Sequence, residues 1–198
     1  MSTLEKIFAE KLLNVKAIKL QPETPFTWAS GWKSPFYCDN KDVGIPRFAQ
    51  FCQARIEPHH LPKYPSRSNC RCCYGAITSL QALGLQRSKQ RSMTNLIEGD
   101  LQKGMKVVVV EDLISTGGSS LKAVEALRQH GCEVIGMVAS YTYGFPVAEK
   151  AFADAQVELT TLTNYEAVVE VALQTGYIKQ EHVELLHNWR ENPAEWGK

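Results

Sequence analysis

The spacing of apolar residues changes from helical to alternating within the first quarter of the chain. Ser2 and Glu5 have the spacing of a capping box, and apolar residues follow at helical intervals through Leu12. The first element is therefore predicted to be a helix of roughly three turns. Residues 26–39 instead alternate polar and aromatic side chains around a Ser-Gly turn and a Ser-Pro break, which predicts short strands and loops.

From Lys106 onward, apolar runs alternate with amphipathic segments. The apolar runs predict buried strands at 106–110, 134–139 and 157–162. The segments between and after them predict helices at about 118–130, 146–155, 164–174 and 179–191. Such an alternation favours right-handed crossovers and an α/β fold with a mostly parallel sheet flanked by helices. Trp189 and Trp196 are expected to pack the last helix.

The segment 41–92 does not continue either pattern. It contains four prolines, a histidine pair and a cysteine cluster at 70–73. It offers no good strand at the place where a doubly wound sheet needs its first central strand. The segment therefore conflicts with its flanks, and such a conflict needs an explanation.

Composition and charge narrow the classes of protein only moderately. A chain of 198 residues with 44% hydrophobic and 22% charged residues is typical of one globular domain with room for a small appendage. A net charge of +1 gives no indication of nucleic-acid or membrane binding, and no apolar run is long enough to span a bilayer. The first residues lack the apolar core of a signal peptide, so we expect a cytoplasmic protein with reduced cysteines.

The residues that carry chemistry follow the apolar run 107–110. Two carboxylates, Glu111 and Asp112, precede a turn rich in hydroxyls and glycine at 115–119, and a helix is predicted from about Gly118. Backbone N–H groups and a helix N-terminus can hold a phosphate there, while the carboxylates can accept hydrogen bonds from a ribose diol or act through Mg²⁺. The alternative, an acidic turn before a capped helix, explains neither the acid pair nor the double glycine.

These residues resemble the loop of type I phosphoribosyltransferases that binds 5-phospho-α-D-ribose 1-diphosphate (PRPP). The spacings of a Walker loop and of a dinucleotide-binding turn do not occur there. The pattern Phe26-Thr27-x-x-Ser30-Gly31-x-x-Ser34-Pro35-x-Tyr37-x-Asp39 resembles the N-terminal hood of the orotate phosphoribosyltransferase family. Segments 95–99 and 142–146 resemble the same family. The resemblance implies a type I phosphoribosyltransferase fold, with a hood at 1–40 and a core at 41–198.

The resemblance also implies a reaction and a set of site residues. The family joins orotate to PRPP with Mg²⁺, giving orotidine 5′-monophosphate and diphosphate, usually as a homodimer. By this resemblance Glu111 and Asp112 hold the ribose hydroxyls, and Mg²⁺ is held mainly through PRPP. The other residues expected to contact PRPP are Arg87, Leu113, Ile114, Ser115, Thr116, Gly117, Gly118 and Ser119. The residues expected to contact orotate are Ser115, Tyr37 and Lys33, although Lys33 can equally be a surface lysine.

Two rivals remain open at this point. One is a purine-type phosphoribosyltransferase, which the hood pattern argues against. The other is a non-catalytic regulator that binds PRPP. The regulator is favoured by a missing feature: 87–92 begins Arg-Ser-Lys but lacks the Lys and His of the family's mobile loop.

We hypothesise that 41–92 reflects base insertions or deletions that change the reading frame. Codons chosen for 67–74 and shifted by one base read Val-Ala-Ile-Ala-Gly-Val-Ala-Thr, which supplies the missing strand. Segment 41–46, shifted likewise, reads Lys-Thr-Leu-Ala-Tyr-Pro, and one base inserted within Gln90 gives Lys-Pro-Lys-Lys-His from Lys89. The alternative is true divergence of the segment.

Overall fold

The structure is a computed structural model that describes residues 2–27, 32–38, 71–74 and 101–196. These residues fall into two compact units. The first unit combines residues up to 43 with those from 162 onward, and the second lies between 44 and 161. The domain boundary expected after residue 40 stays a prediction.

The described elements follow the order expected of an α/β chain. They are α1 (Thr3–Asn14), β1 (Ile18–Leu20), β2 (Phe26–Thr27), β3 (Lys33–Ser34), β4 (Phe36–Cys38), β5 (Arg71–Tyr74), β6 (Lys106–Ile114), α2 (Gly118–Gln129), β7 (Glu133–Thr142), α3 (Pro146–Asp154), β8 (Leu159–Asn164), α4 (Tyr165–Gln174) and α5 (Gln180–Glu191). None of the described helices is both long enough and apolar enough to cross a membrane.

The first unit begins with the predicted capped helix. The Ser2 hydroxyl accepts from the Glu5 N–H at 3.2 Å, and the Glu5 carboxylate accepts from the Ser2 N–H, so both halves of the capping box are present. The short strands of the hood form two antiparallel pairs, β1 with β4 and β2 with β3. The expectation of short strands and loops in this region is confirmed.

The first unit ends with two helices whose predicted positions are also confirmed. The Asn164 side chain caps α4 by accepting from the Ala167 N–H at 3.0 Å. Trp189 of α5 is completely buried, as expected for a residue that packs this helix. The Arg190 guanidinium lies 2.8 Å from the Glu166 carboxylate and covers the Tyr165 ring, which joins α5 to α4.

The sheet has the strand order β5-β6-β7-β8. β6 lies between β5 and β7 and is parallel to both of them. The apolar run of β6 is buried from Val107 to Val110, as expected for a central strand of a parallel sheet whose faces are covered by helices. The mostly parallel α/β sheet predicted from the sequence is confirmed.

Two predictions about this sheet were wrong. The segment 41–92 does supply a strand, because Arg71–Tyr74 pairs in parallel with Val107–Val110. The rest of that segment lies outside the described residues. β6 also continues to Ile114 instead of stopping at Val110, because ladder pairing with β7 reaches Thr142. Glu111 and Asp112 are therefore residues of the strand itself and not of the loop after it.

The core of the second unit lies between the sheet and helices α2 and α3. Its buried side chains come from β6, α2, β7 and α3, and they include Val107, Val109, Ile114, Val124, Leu127, Met137 and Phe152. β6 contributes to this core as far as Ile114, which is completely buried. The core therefore holds the residue from which the loop at 115–119 begins.

Candidate active site

The candidate site starts with the two carboxylates of β6. Glu111 is 9% exposed, whereas Asp112 is half-buried. The Asp112 N–H lies 3.4 Å from Oε1 of Glu111, so the Glu111 side chain folds back beside its neighbour. Both residues lie toward the carboxyl end of a parallel strand, which is where α/β sheets bind their ligands.

Burial changes the acidity of Glu111. The pKa of this carboxyl is raised from 4.5 to about 7, first by burial and second by the negative charge of Asp112. A hydrogen bond from the Ser120 hydroxyl acts in the opposite direction by stabilising the carboxylate. Near neutral pH, Glu111 and Asp112 therefore carry less than two full negative charges between them.

The Asp112 side chain beside Glu111 also favours a proton on Glu111 and so raises its pKa. A carboxyl that is protonated part of the time can donate as well as accept hydrogen bonds, which matches the hydroxyls of a diol. Hydroxyls that donate to Glu111 would favour its ionised form and release the proton. The arrangement therefore fits a diol better than it fits an anion.

The loop at 115–119 leads directly into α2. Gly117 is the N-cap of this helix, has φ of +80°, and leaves the first turn without a side-chain capping bond. Thr116, Gly118 and Ser119 are exposed around it. Free amide donors and the positive end of the helix dipole are thus available to an anion, as the sequence predicts for the phosphate.

Phe152 of α3 explains why residue 117 is glycine. A Cβ built on Gly117 would lie 2.7 Å from Cε2 of Phe152, closer than real Cβ atoms approach. The positive φ adds a second requirement, since L residues rarely adopt it. Glycine at this position is therefore required by the protein's own core.

The turn after β7 holds the start of the same loop. The carbonyl of Ile114 accepts from the Tyr143 N–H at 3.1 Å and from the Thr142 hydroxyl at 3.4 Å. The Thr142 hydroxyl in turn accepts from the Gly144 N–H at 3.0 Å. The peptide group that joins Ile114 to Ser115 is therefore held in place by hydrogen bonds from residues 142 and 143.

The predicted hood residues lie in the first unit. Tyr37 is half-buried, and its ring lies 5.2 Å from the ring of Phe26 between centroids. Lys33 has an exposed side chain, while its backbone carbonyl accepts from the Trp189 indole at 3.2 Å. Arg87 lies outside the described residues, so its assignment stays a prediction.

The described residues are compatible with a magnesium ion that arrives with its substrate. Mg²⁺ in phosphate-transfer sites is usually held by one or two carboxylates together with phosphate oxygens of the substrate. Within the described ranges, no group of three or more His, Cys, Asp and Glu side chains could hold a metal ion. Asp112, with Glu111 beside it, supplies the one or two carboxylates that such an arrangement needs.

Comparison with known proteins first identifies the class of protein to which this chain belongs. Residues 66–175 match the model of the phosphoribosyl transferase domain. The fold agrees with this class: the structure superposes on the crystal structure of an orotate phosphoribosyltransferase from Francisella tularensis with a TM-score of 0.67, at 16% identity, covering 96% of this chain and 97% of the other.

Curated relatives then define the family. The chain is 58% identical to the orotate phosphoribosyltransferase of Bacteroides fragilis, over 99% of this chain and 98% of the relative. It is 50% identical to the orotate phosphoribosyltransferase of Porphyromonas gingivalis, over the full length of both. The chain belongs to the orotate phosphoribosyltransferase family.

The length of the alignment bears on the segment 41–92. The alignment with the Bacteroides fragilis protein runs over 208 positions, so at least ten of them face a gap in this chain of 198 residues. Its identical positions number about 120, fewer than the residues outside 41–92. The match to the phosphoribosyl transferase domain begins at residue 66 and therefore includes 66–92.

Three residues that shape the site escaped the sequence-based prediction. Ser120 follows the predicted loop and reaches back to Glu111, while Phe152 and Thr142 act from other elements. A signal existed for Ser120, since a second serine beside Ser119 is more than a helix cap needs. No local signal marks Phe152, because its contact with Gly117 depends on how α3 packs.

Proposed function

We propose that this chain transfers the phosphoribosyl group of PRPP to orotate, giving orotidine 5′-monophosphate and diphosphate. The proposal is carried by 58% identity with an orotate phosphoribosyltransferase over nearly the whole chain. It is supported by a buried carboxyl, Glu111, beside the half-buried Asp112, both of which precede a helix N-terminus without a side-chain cap; this arrangement suits a ribose 5-phosphate.

In this proposal, the bond between ribose C1 and the diphosphate oxygen breaks as N1 of orotate bonds to C1, and the N1 proton passes to the departing diphosphate. Positive charge develops on the ribose ring, giving an oxocarbenium-like transition state. Glu111 and Asp112 accept hydrogen bonds from the ribose hydroxyls, and their negative charge stabilises the developing cation. The backbone N–H groups and hydroxyls of Ser115–Ser119 hold the 5-phosphate.

The orotate contacts are assigned to three residues. Ser115 lies at the start of the loop, and Tyr37 and Lys33 belong to the hood. Lys33 offers an exposed ammonium that can pair with the carboxylate of orotate. Arg87 is assigned to the phosphates of PRPP.

We further propose that the enzyme uses Mg²⁺, works as a homodimer and acts in the cytoplasm. When bound, Mg²⁺ would neutralise charge on the diphosphate leaving group. Asp112, with Glu111 beside it, would contribute the protein's share of its ligands. The product is a precursor of UMP, so the enzyme would serve pyrimidine biosynthesis.

Turnover by the purified chain tests the activity. Orotate absorbance should fall only when both PRPP and Mg²⁺ are present, and a chelator should stop the reaction. Adenine, guanine and hypoxanthine, supplied at the same concentration, should not be consumed. Consumption of a purine would instead indicate the purine-type enzyme, and PRPP binding without turnover of any base would indicate the regulator.

A further inference from the structure

An aromatic cluster in the first unit joins the hood to the C-terminal helices. It consists of Phe36 on β4, Tyr165 on α4 and Trp189 on α5, and we call it the Trp189 cluster. The rings of Phe36 and Trp189 are stacked with centroids 6.2 Å apart, and Tyr165 lies 5.5 Å from Phe36 and 6.0 Å from Trp189. All three side chains are fully buried.

Two side chains of this cluster donate hydrogen bonds to backbone carbonyls of different elements. The Trp189 indole N–H donates to the backbone carbonyl of Lys33 on β3, at 3.2 Å. The Tyr165 hydroxyl donates to the carbonyl of Leu186 on α5, at 2.7 Å. Only the first of these bonds reaches the hood.

The bond to Lys33 adds a side-chain tether to a short strand. β3 has two residues, and Lys33 lies opposite Thr27 of β2, itself only two residues long. Two-stranded hairpins of this length are marginal on their own. The Lys33 side chain is exposed, so the backbone is tethered while the ammonium remains accessible to a ligand.

Ser34 and Phe36, which follow Lys33, connect β3 to the Trp189 cluster. The Ser34 hydroxyl is completely buried, donates to the Phe36 carbonyl at 2.6 Å and accepts from the Phe36 N–H at 3.1 Å. This local turn connects Lys33 to the ring of Phe36, which stacks on Trp189. Lys33, Phe36 and Trp189 lie outside the matched domain at 66–175, whereas Tyr165 lies within it.

We propose that Trp189 is a positioning residue for orotate recognition. Its indole N–H holds the Lys33 carbonyl and thereby sets the direction from which the Lys33 ammonium meets the carboxylate of orotate. This inference rests on the proposed function, since it assumes that the hood binds orotate. Loss of the bond should raise the orotate KM by roughly 3- to 10-fold, the range that corresponds to one hydrogen bond.

Three variants separate this role from general support of the fold. Trp189→Phe removes the N–H but also reduces the ring. Replacement of Trp189 by benzothienylalanine keeps a bicyclic ring of nearly the same shape and has sulfur in place of the N–H. Tyr165→Phe is the matched control, because it removes one buried donor from the same cluster while leaving the bond to β3 intact.

We expect the orotate KM to change while the other kinetic constants stay the same. Both Trp189 variants should raise the orotate KM and leave the PRPP KM and kcat unchanged, and amide exchange in β2 and β3 should become faster. Tyr165→Phe should change none of these values, although it should lower the unfolding midpoint as much as the benzothienylalanine variant does. An orotate KM that is the same in all four proteins, or equally raised in the Tyr165 variant, overturns the inference.

The two proposals fail in distinguishable ways. Absence of orotate turnover by the unsubstituted chain refutes the proposed function. In that case the orotate Kd, and not the KM, tests the role of Trp189. The Kd is measured by calorimetry on the same four proteins. A chain that does not bind orotate at all, or binds it equally with and without the indole N–H, refutes the positioning role.

Discussion

Glu111 combines two properties that a surface carboxylate does not have. Its side chain is 9% exposed, and its pKa of about 7 results from burial in the first place and from Asp112 in the second. A carboxyl kept close to its titration point can gain or lose a proton at little cost when a ligand arrives. Binding of a ribose diol at this residue should therefore be coupled to proton release.

The raised pKa makes a prediction about stability. Below pH 4.5 the carboxyl is protonated in both the folded and the unfolded chain and contributes nothing. Between pH 4.5 and about 7 the folded chain keeps a proton that the unfolded chain releases, so the free energy of unfolding falls as pH rises. The fall is complete above that window and amounts to about 3 kcal/mol.

Denaturant unfolding of the unsubstituted chain and of Glu111→Gln, at a series of pH values from 4 to 8, measures this effect. The unsubstituted chain should lose stability relative to Glu111→Gln as pH rises through the window, and the difference should level off near pH 8. Asp112→Asn should reduce the slope only partly, because burial is the larger cause. Parallel curves for the unsubstituted chain and Glu111→Gln would contradict the assignment.

At the scale of elements, the loop at 115–119 is shaped by helix α3 as much as by its own sequence. Phe152 lies against Gly117, and the turn after β7 binds the Ile114 carbonyl at the other end of the loop. The loop is therefore fixed at both ends by elements that come later in the chain. A binding loop that is held in this way pays less conformational entropy when its ligand binds.

Gly117→Ala tests the contact with α3. The methyl group would meet the Phe152 ring and the backbone would keep an unfavourable positive φ, so we expect a loss of about 2–4 kcal/mol in the free energy of unfolding. Gly104→Ala is the matched control, because Gly104 has φ of +83° and no atom within 4 Å of an added Cβ. It should cost only about 1 kcal/mol.

Denaturant unfolding of the two alanine variants gives both values. The combination of Gly117→Ala with Phe152→Leu should recover part of the loss, since the leucine lacks the ring atom that lies at 2.7 Å. Equal losses for Gly117→Ala and Gly104→Ala would show that φ and not Phe152 explains the glycine.

The elements show where sequence-based reasoning succeeds and where it stops. Apolar runs and capping residues placed α1, α2, β7 and α4 within a few residues of their observed bounds, because those signals are local. The end of β6 was missed, since Glu111 and Asp112 have polar side chains and their strand conformation depends on pairing with β7. The role of Phe152 is likewise a consequence of packing between distant segments.

At the scale of the whole molecule, the family is clear, and the matched domain begins at residue 66, within the segment 41–92. Relatives at 50–58% identity cover the chain almost completely, yet at least ten aligned positions have no counterpart in it. β5, at Arg71–Tyr74, lies within the stretch that a shifted frame reads as Val-Ala-Ile-Ala-Gly-Val-Ala-Thr. An apolar strand would suit that place, because a parallel strand beside β6 is expected to be buried on both faces.

The reading-frame hypothesis leads to a prediction about activity. DNA sequencing across codons 41–92 should reveal inserted or deleted bases, and a chain with the frame restored should contain the loop Lys and His. The chain as it stands should bind PRPP through 111–119 but turn over orotate with a kcat lower by about 10²-fold or more, since charge on the leaving diphosphate is then poorly stabilised.

Steady-state assays of both chains measure this difference, and a third protein identifies its cause. In the frame-restored chain, replacement of the loop Lys and His by alanine should reproduce most of the loss of kcat while leaving the unfolding midpoint unchanged, because a mobile loop contributes little to the core. If the DNA confirms the present frame and the purified chain matches the kcat of the frame-restored one, 41–92 is genuine divergence. Other residues of this chain must then stabilise the leaving diphosphate.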